Sequence, residues 1–161
     1  MKKYEFTGET KVIAGVTLKR IRALISFGFI VKGEIGGFIE SEKNLSHDGN
    51  AWVSGNARVT DNARVTDNAR VTDNARVTDN AEVTGNADCM LIGRIGSRSD
   101  FTTFFKDKDG GISVKCGCFS GTIEEFREKV EETHGTNTKH AKVYQAAANL
   151  AEMQILDQEA A

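Results

Sequence analysis

Asn56-Ala57-Arg58-Val59-Thr60-Asp61 is followed by Asn62-Ala63-Arg64-Val65-Thr66-Asp67, Asn68-Ala69-Arg70-Val71-Thr72-Asp73 and Asn74-Ala75-Arg76-Val77-Thr78-Asp79, one hexapeptide written four times in succession. Looser copies flank these units, so that Asn-Ala recurs at 50, 56, 62, 68, 74, 80 and 86. An internal repeat this regular governs the fold before anything else in the chain is weighed. The large apolar position falls to Val53, Val59, Val65, Val71, Val77 and Val83. The small one falls to Ala51, Ala57, Ala63, Ala69, Ala75, Ala81 and Ala87, and both sets are expected to point inward. A period of six winds such residues around an α-helix instead of collecting them on one face, and β-branched Val-Thr pairs favour strand. The segment reads as short strands separated by corners.

The unit Val-Thr-Asp-Asn-Ala-Arg resembles the hexapeptide repeat of left-handed parallel β-helix proteins, in which three hexads close one triangular turn. The resemblance implies that residues 18 positions apart stack on rungs ~4.8 Å apart. On that register Trp52 lies under Arg70, Arg70 under Asp88, Arg64 faces Glu82 and Arg58 faces Arg76. The outward columns then hold a cation over an indole and two opposite-charge ends, each worth about 0.2 to 1 kcal/mol if exposed. Arg58 over Arg76 is unfavourable unless an anion or a partner meets it. Asn50, Asn68 and Asn86, with the pairs Asn56–Asn74 and Asn62–Asn80, are expected to form amide ladders at the corners, since an amide both donates and accepts. The near-identity of four units reads as recent duplication, and a stretch free to change length serves as a spacer.

A stack of this kind leaves open edges at its ends, so both flanks are expected to be caps. Alternation predicts N-terminal strands at 19–24, 33–39 and 44–47. Residues 10–60 resemble the entry segment of a bacterial hexapeptide-repeat family that carries a transferase label and has many relatives in phages and prophages. After Cys89 the pattern changes. Strands are predicted at 90–95, 100–106 and 112–118, with Asp109-Gly110-Gly111 as a hairpin turn. Thr122-Ile123-Glu124-Glu125 is a capping box opening a helix with Ile123, Phe126 and Val130 on one face, ended by His134-Gly135. A second helix is predicted from Thr138 to Gln158, with Val143, Tyr144, Ala147, Ala148, Ala151 and Ile155 as its apolar stripe. The expected fold is mainly β with a C-terminal α+β cap: a short left-handed parallel β-helix at 49–88, an N-terminal β cap at 1–48 and a sheet-plus-two-helix module at 89–161.

Composition narrows the function. Lys plus Arg number 21 against 23 Asp plus Glu, so the overall field gives no push toward general nucleic-acid binding or an anionic membrane. No apolar run reaches the ~20 residues of a membrane span, and Met1-Lys2-Lys3-Tyr4-Glu5-Phe6 does not read as a signal-peptide core, which predicts a cytoplasmic protein. Cys89, Cys116 and Cys118 are an odd set, so reduced thiols are expected. Cys116-Gly117-Cys118 puts two thiols on one strand face, but a metal site wants four ligands and no second pair exists. No metal or cofactor is expected.

Acyltransferases are the best-known users of the resembled fold and place a catalytic His on a turn at a subunit boundary. Here the histidines are His47, His134 and His140, none of them in the repeat, and the repeat is too short for a long acyl-donor groove. The three-His cluster of a γ-type carbonic anhydrase is absent too. His47 is the one catalytic candidate, and a solvated or capping role outweighs it. The constellation that points to a ligand is Gly93-Arg94-Ile95-Gly96-Ser97-Arg98-Ser99 with Lys106 and Lys115 on neighbouring strands. Glycine permits close backbone approach, serine donates, and arginine forks onto phosphate oxygens, so Arg94, Ser97, Arg98, Ser99, Lys106 and Lys115 are the expected anion contacts. The reading set against this one, and outweighing it, is that the same Gly and Ser simply turn the chain off the β-helix. Phe101, Phe104, Phe105 and Phe119 offer a stacking surface that alternation partly buries under the helices.

Residues 96–100 through 116–122 look like a module that ends other phage hexapeptide-repeat proteins, and the resembled proteins are commonly homotrimers. Three readings follow. The first is a non-catalytic phage or prophage trimer in the host bacterial cytoplasm that counters host defence, capturing a nucleotide immune signal or blocking a defence protein. The second is an acyltransferase-like enzyme resting on fold analogy and His47. The third is a structural or assembly trimer.

Overall fold

A computed structural model describes residues 1–156 of the chain. Gln158, the expected end of the second helix, lies outside the described residues. The protein is mainly β with a C-terminal pair of helices, and it divides into two compact units, Met1–Asn86 and the residues from Ala87 onward. The N-terminal cap and the repeat, expected as separate segments, belong to one unit.

In the first unit β1 (Tyr4–Ile13) and β2 (Val16–Ala23) form an antiparallel hairpin, and β3 (Ile35–Ile39) pairs antiparallel with β2. No strand was expected before residue 19; β1 is largely exposed, and its side chains carry too little apolar alternation to announce it. Residues 44–47 do not form the expected strand. Glu42–Asn44 make a 3-10 turn, after which Leu45 alone bridges Val65.

The repeat supplies six two-residue strands: β4 (Trp52–Val53), β5 (Arg58–Val59), β6 (Arg64–Val65), β7 (Arg70–Val71), β8 (Arg76–Val77) and β9 (Glu82–Val83). They pair in parallel as β4 with β7, β5 with β8 and β6 with β9. The register sets Trp52 against Arg70, Arg58 against Arg76 and Arg64 against Glu82, the 18-residue step read from the sequence. Backbone bonds hold it, with Trp52 N donating to Ala69 O at 3.0 Å, Arg58 N to Ala75 O at 2.9 Å and Arg64 N to Ala81 O at 2.9 Å. All six valines, and the alanines from Ala51 to Ala81, are buried. Each valine withdrawn from water contributes about 1.5 to 3 kcal/mol, an upper bound because the unfolded chain already hides some of that surface. Ala87 departs from the pattern: it is half-buried and sits in the 3-10 turn Asn86–Asp88.

The corners are built differently from the expected Asn ladders. Asp61, Asp67, Asp73 and Asp79 adopt φ between 54° and 60°, the left-handed region that Asp, Asn and Gly tolerate best. The hydroxyl of the preceding Thr donates to each carboxylate at 2.6 to 2.8 Å. Gly49 and Gly55 take this corner in the first hexads, and a Cβ on Gly49 would meet Asp67 O at 2.5 Å. Among the described residues one amide rung forms, Asn50 Nδ2 donating to Asn68 Oδ1 at 3.0 Å. Asn86 instead accepts from Arg70 N, and Asn62 from Lys43 Nζ.

Trp52 is not an outward platform for Arg70. It is 1% exposed, edge-on to Tyr4 and Phe27 beneath the N-terminal strands. Gly36 and Gly37 of β3 allow that approach, since a Cβ on Gly36 would lie 2.7 Å from the indole and one on Gly37 2.7 Å from Ala57 O. β3 thereby joins β5 in parallel, giving a sheet of order β1-β2-β3-β5-β8. Asp88, expected over Arg70, is buried in the second unit with Lys106 Nζ 4.0 Å from its carboxylate.

The second unit is an antiparallel meander of β10 (Cys89–Ile95), β11 (Asp100–Lys106), β12 (Ile112–Cys116) and β13 (Phe119–Thr122), followed by α1 (Ile123–His134) and α2 (Lys139–Ile155). The single strand expected over 112–118 is broken after Cys116. Gly117, at φ 59°, opens a two-residue reversal closed by Cys118, so the two thiols do not share a strand face. The Thr122 capping box forms as read, and Thr138 caps α2 through Ala141 N. Phe104 and Val114 from the sheet pack against Phe126, Val130, Tyr144 and Ala148 from the helices.

Candidate ligand cleft

Three parts of the second unit meet around a cleft of about 530 Å³: the β10–β11 turn, the β12–β13 turn and the C-terminal half of α1 with Tyr144 of α2 behind it. Its walls include Ser97, Arg98, Cys116, Cys118, Phe119, Lys129, Thr133, His134 and Tyr144. That volume falls within the range of pockets for small organic ligands.

Local sequence explains each wall. Gly96 takes φ 72° and has no Cβ; one built there would lie 1.8 Å from the Tyr144 hydroxyl. Glycine at 96 thus lets the turn close over the phenol. Tyr144 is almost wholly buried, edge-on to Phe126 at 5.6 Å and stacked with His134 at 5.8 Å. Burial pushes its phenol above the ordinary tyrosine range, the adjacent Cys116 adds to the rise, and hydrogen bonding with Ser97 works against it. Thr102 Oγ1 donates to Cys116 Sγ at 3.2 Å, fixing that thiol at the cleft's inner edge. Phe126, Val130, Thr133 and His134 share one side of α1, because positions three or four apart lie on one helix face.

The charged groups differ in availability. Lys129 Nζ donates to Glu132 at 2.7 Å, and this bond holds the Glu132 carboxyl below its usual value. Arg98 is exposed and enters no ion pair among the described residues. An apolar and aromatic wall, hydroxyls at Ser97, Thr133 and Tyr144, and one available guanidinium can hold a planar anionic molecule.

Of the residues expected to form an anion site, the structure brings Ser97 and Arg98 to this cleft and leaves the others outside its walls. Arg94 is exposed on β10, and Ser99, at φ 48°, completes the turn that Gly96 begins. Lys106 ends β11 and faces Asp88. Lys115 lies between Val114, which packs under the helices, and Cys116, so strand alternation turns it to the opposite sheet face. The Gly-Ser segment does not turn the chain off the repeat but forms the β10–β11 turn within the second unit. Phe119 lines the cleft, whereas Phe104 is buried in the core. Sequence reading missed Thr133, His134 and Tyr144 because each fits a helix face or a helix end. The available signal was a tyrosine in an apolar stripe, whose hydroxyl needs a polar neighbour when buried.

His47 belongs to the N-terminal cap. Its ring stacks on Tyr4 at 4.2 Å, its Nδ1 accepts from Lys3 N at 3.3 Å, and its Nε2 is buried without a hydrogen-bond partner. Burial is the main reason its pKa falls below the ordinary histidine value, with the Glu42 carboxylate opposing. Beside it the Lys3 ammonium is buried, donates to Asp48 O and Gly49 O, and is lowered to about 8 chiefly by burial. This arrangement packs His47 and Lys3 together at the start of the repeat. Burial pushes the Cys89 thiol up to about 12, which makes it a packing group. No cluster of three or more His, Cys, Asp or Glu placed to hold a metal occurs among the described residues. No helix among the described residues is long and apolar enough to cross a membrane. No protein-family model and no curated protein matches the chain.

Proposed function

We propose that the protein is a non-catalytic binding protein whose C-terminal unit captures a nucleotide-type small molecule, and that its repeat winds as a left-handed parallel β-helix. The observation that carries the binding reading is the cleft that joins Arg98 to the buried Tyr144 and its aromatic neighbours. Parallel pairing at 18-residue steps supports the winding. The resemblance of residues 10–60, 96–100 and 116–122 to phage and prophage hexapeptide-repeat proteins supports reading the protein as a homotrimer of the host bacterial cytoplasm that withdraws an immune signal from host defence. Blocking of a defence protein is a second reading. It is favoured by Leu150, Met153 and Leu156, exposed along one side of the C-terminal end of α2.

Native mass spectrometry of protein purified from bacteria that carry nucleotide-signalling defences tests the proposal. A trimer carrying added mass in the nucleotide range is the expected result. A species that stays free of ligand, and binds no nucleotide added at millimolar concentration, would overturn the capture reading.

A further inference from the structure

We infer that the cleft selects a nucleotide bearing a single negative charge, one base with one phosphodiester, over nucleoside di- and triphosphates. The inference rests on the capture reading and names the ligand class of the same site. Two cations line the cleft, and they are not equivalent. Lys129 forms an exposed pair with Glu132 at 2.7 Å that offsets its charge, whereas Arg98 enters no ion pair among the described residues. One guanidinium fork matches one phosphate group, through two parallel N–H to oxygen bonds.

The surroundings oppose further negative charge. A second depression lies against the cleft, shares Phe119 and Lys129 with it, and is walled by Glu125, Glu128 and Glu132. On that rim Glu132 is paired with Lys129 and Glu125 accepts from Thr122 N, which leaves Glu128 as the carboxylate that opposes the additional phosphates of a di- or triphosphate. The rest of the lining is mostly apolar, with the Phe119 and His134 rings beside the buried Tyr144, a surface suited to one stacked base. A free cation, an acidic rim and an aromatic wall together describe a monoanionic aromatic ligand.

Isothermal titration with the 3′,5′-cyclic monophosphates of the common nucleosides, and with ATP, tests this. At least one cyclic monophosphate should bind about tenfold or more tightly than ATP, and Arg98→Ala should weaken it about tenfold or more. Arg98 is exposed, so that variant keeps its fold, which circular dichroism verifies. Glu128→Gln, which leaves the Lys129–Glu132 pair intact, should bring ATP toward parity while the cyclic ligand changes less than about threefold. ATP binding as tightly as every cyclic monophosphate overturns the charge selection and leaves the capture reading standing. Absence of binding by all of these nucleotides removes both.

Discussion

The repeat and the C-terminal unit solve the same problem, hiding apolar surface around strands, by opposite means. In the repeat, identical side chains are buried by identical neighbours, and the backbone bond from one residue to the next rung carries the order. In the C-terminal unit each core contact is particular: Phe104 against Phe126, Phe126 against Tyr144, Tyr144 against the turn at Gly96. A repeated surface offers copies of one environment. A surface made of unlike turns can gather an arginine, two thiols and four aromatic or imidazole rings in one place, and this is where the cleft lies.

The largest expected effect strikes the irregular core. Phe104 is fully buried, and Phe104→Ala should destabilise the C-terminal unit by about 3 to 5 kcal/mol. Hydrogen exchange resolved by peptide would show lost protection over β10–β13 with the repeat retained; equal loss in both would break the contrast between them. Next is Gly96→Ala, where a methyl would meet the Tyr144 hydroxyl and the backbone would stay left-handed. A cost of about 1 to 3 kcal/mol is expected in urea melts, together with loss of ligand binding. The corner residues sharpen the other side of the comparison. Asp73→Ala should cost about 1 to 2 kcal/mol and Asp73→Gly much less, because the corner requires a left-handed backbone. Equal losses would assign the corner to the Thr72 hydrogen bond instead.

The smallest effect is a pH response of the N-terminal cap. His47 binds its proton less readily folded than unfolded, so the stability it contributes is complete above the ordinary histidine range. That stability is lost as pH falls from there through the folded value. Glu42 lessens the effect, while Lys2 and Lys3 increase it. Melting temperatures from pH 7 to pH 5 should fall more steeply for the native protein than for His47→Gln.

Periodicity made the Val and Ala positions of the repeat readable to the residue, while the 18-residue register came from the resemblance to hexapeptide-repeat proteins. The same periodicity misled at Trp52, whose position in the hexad points outward and which is nevertheless covered by the N-terminal strands. Distant cover of this kind leaves no trace in a six-residue pattern. At the corners the Asn residues suggest amide ladders, while the left-handed backbone falls on the neighbouring Asp. In the cleft, Ser97 and Arg98 were legible as a polar turn. Lys106 and Lys115 were drawn in by being near in sequence to strands whose faces had not been assigned. Tyr144 and His134 come from helices that sequence assigns to packing and capping, and only tertiary structure brings them to the turn.

We propose that binding belongs to the C-terminal unit, with the repeat as scaffold. Hydrogen exchange measured with and without a cyclic nucleoside monophosphate checks this. Exchange should slow at 96–99, 116–119 and 126–134 with the repeat unchanged. Protection confined to residues 50–86, or none in any segment at saturating ligand, would contradict it.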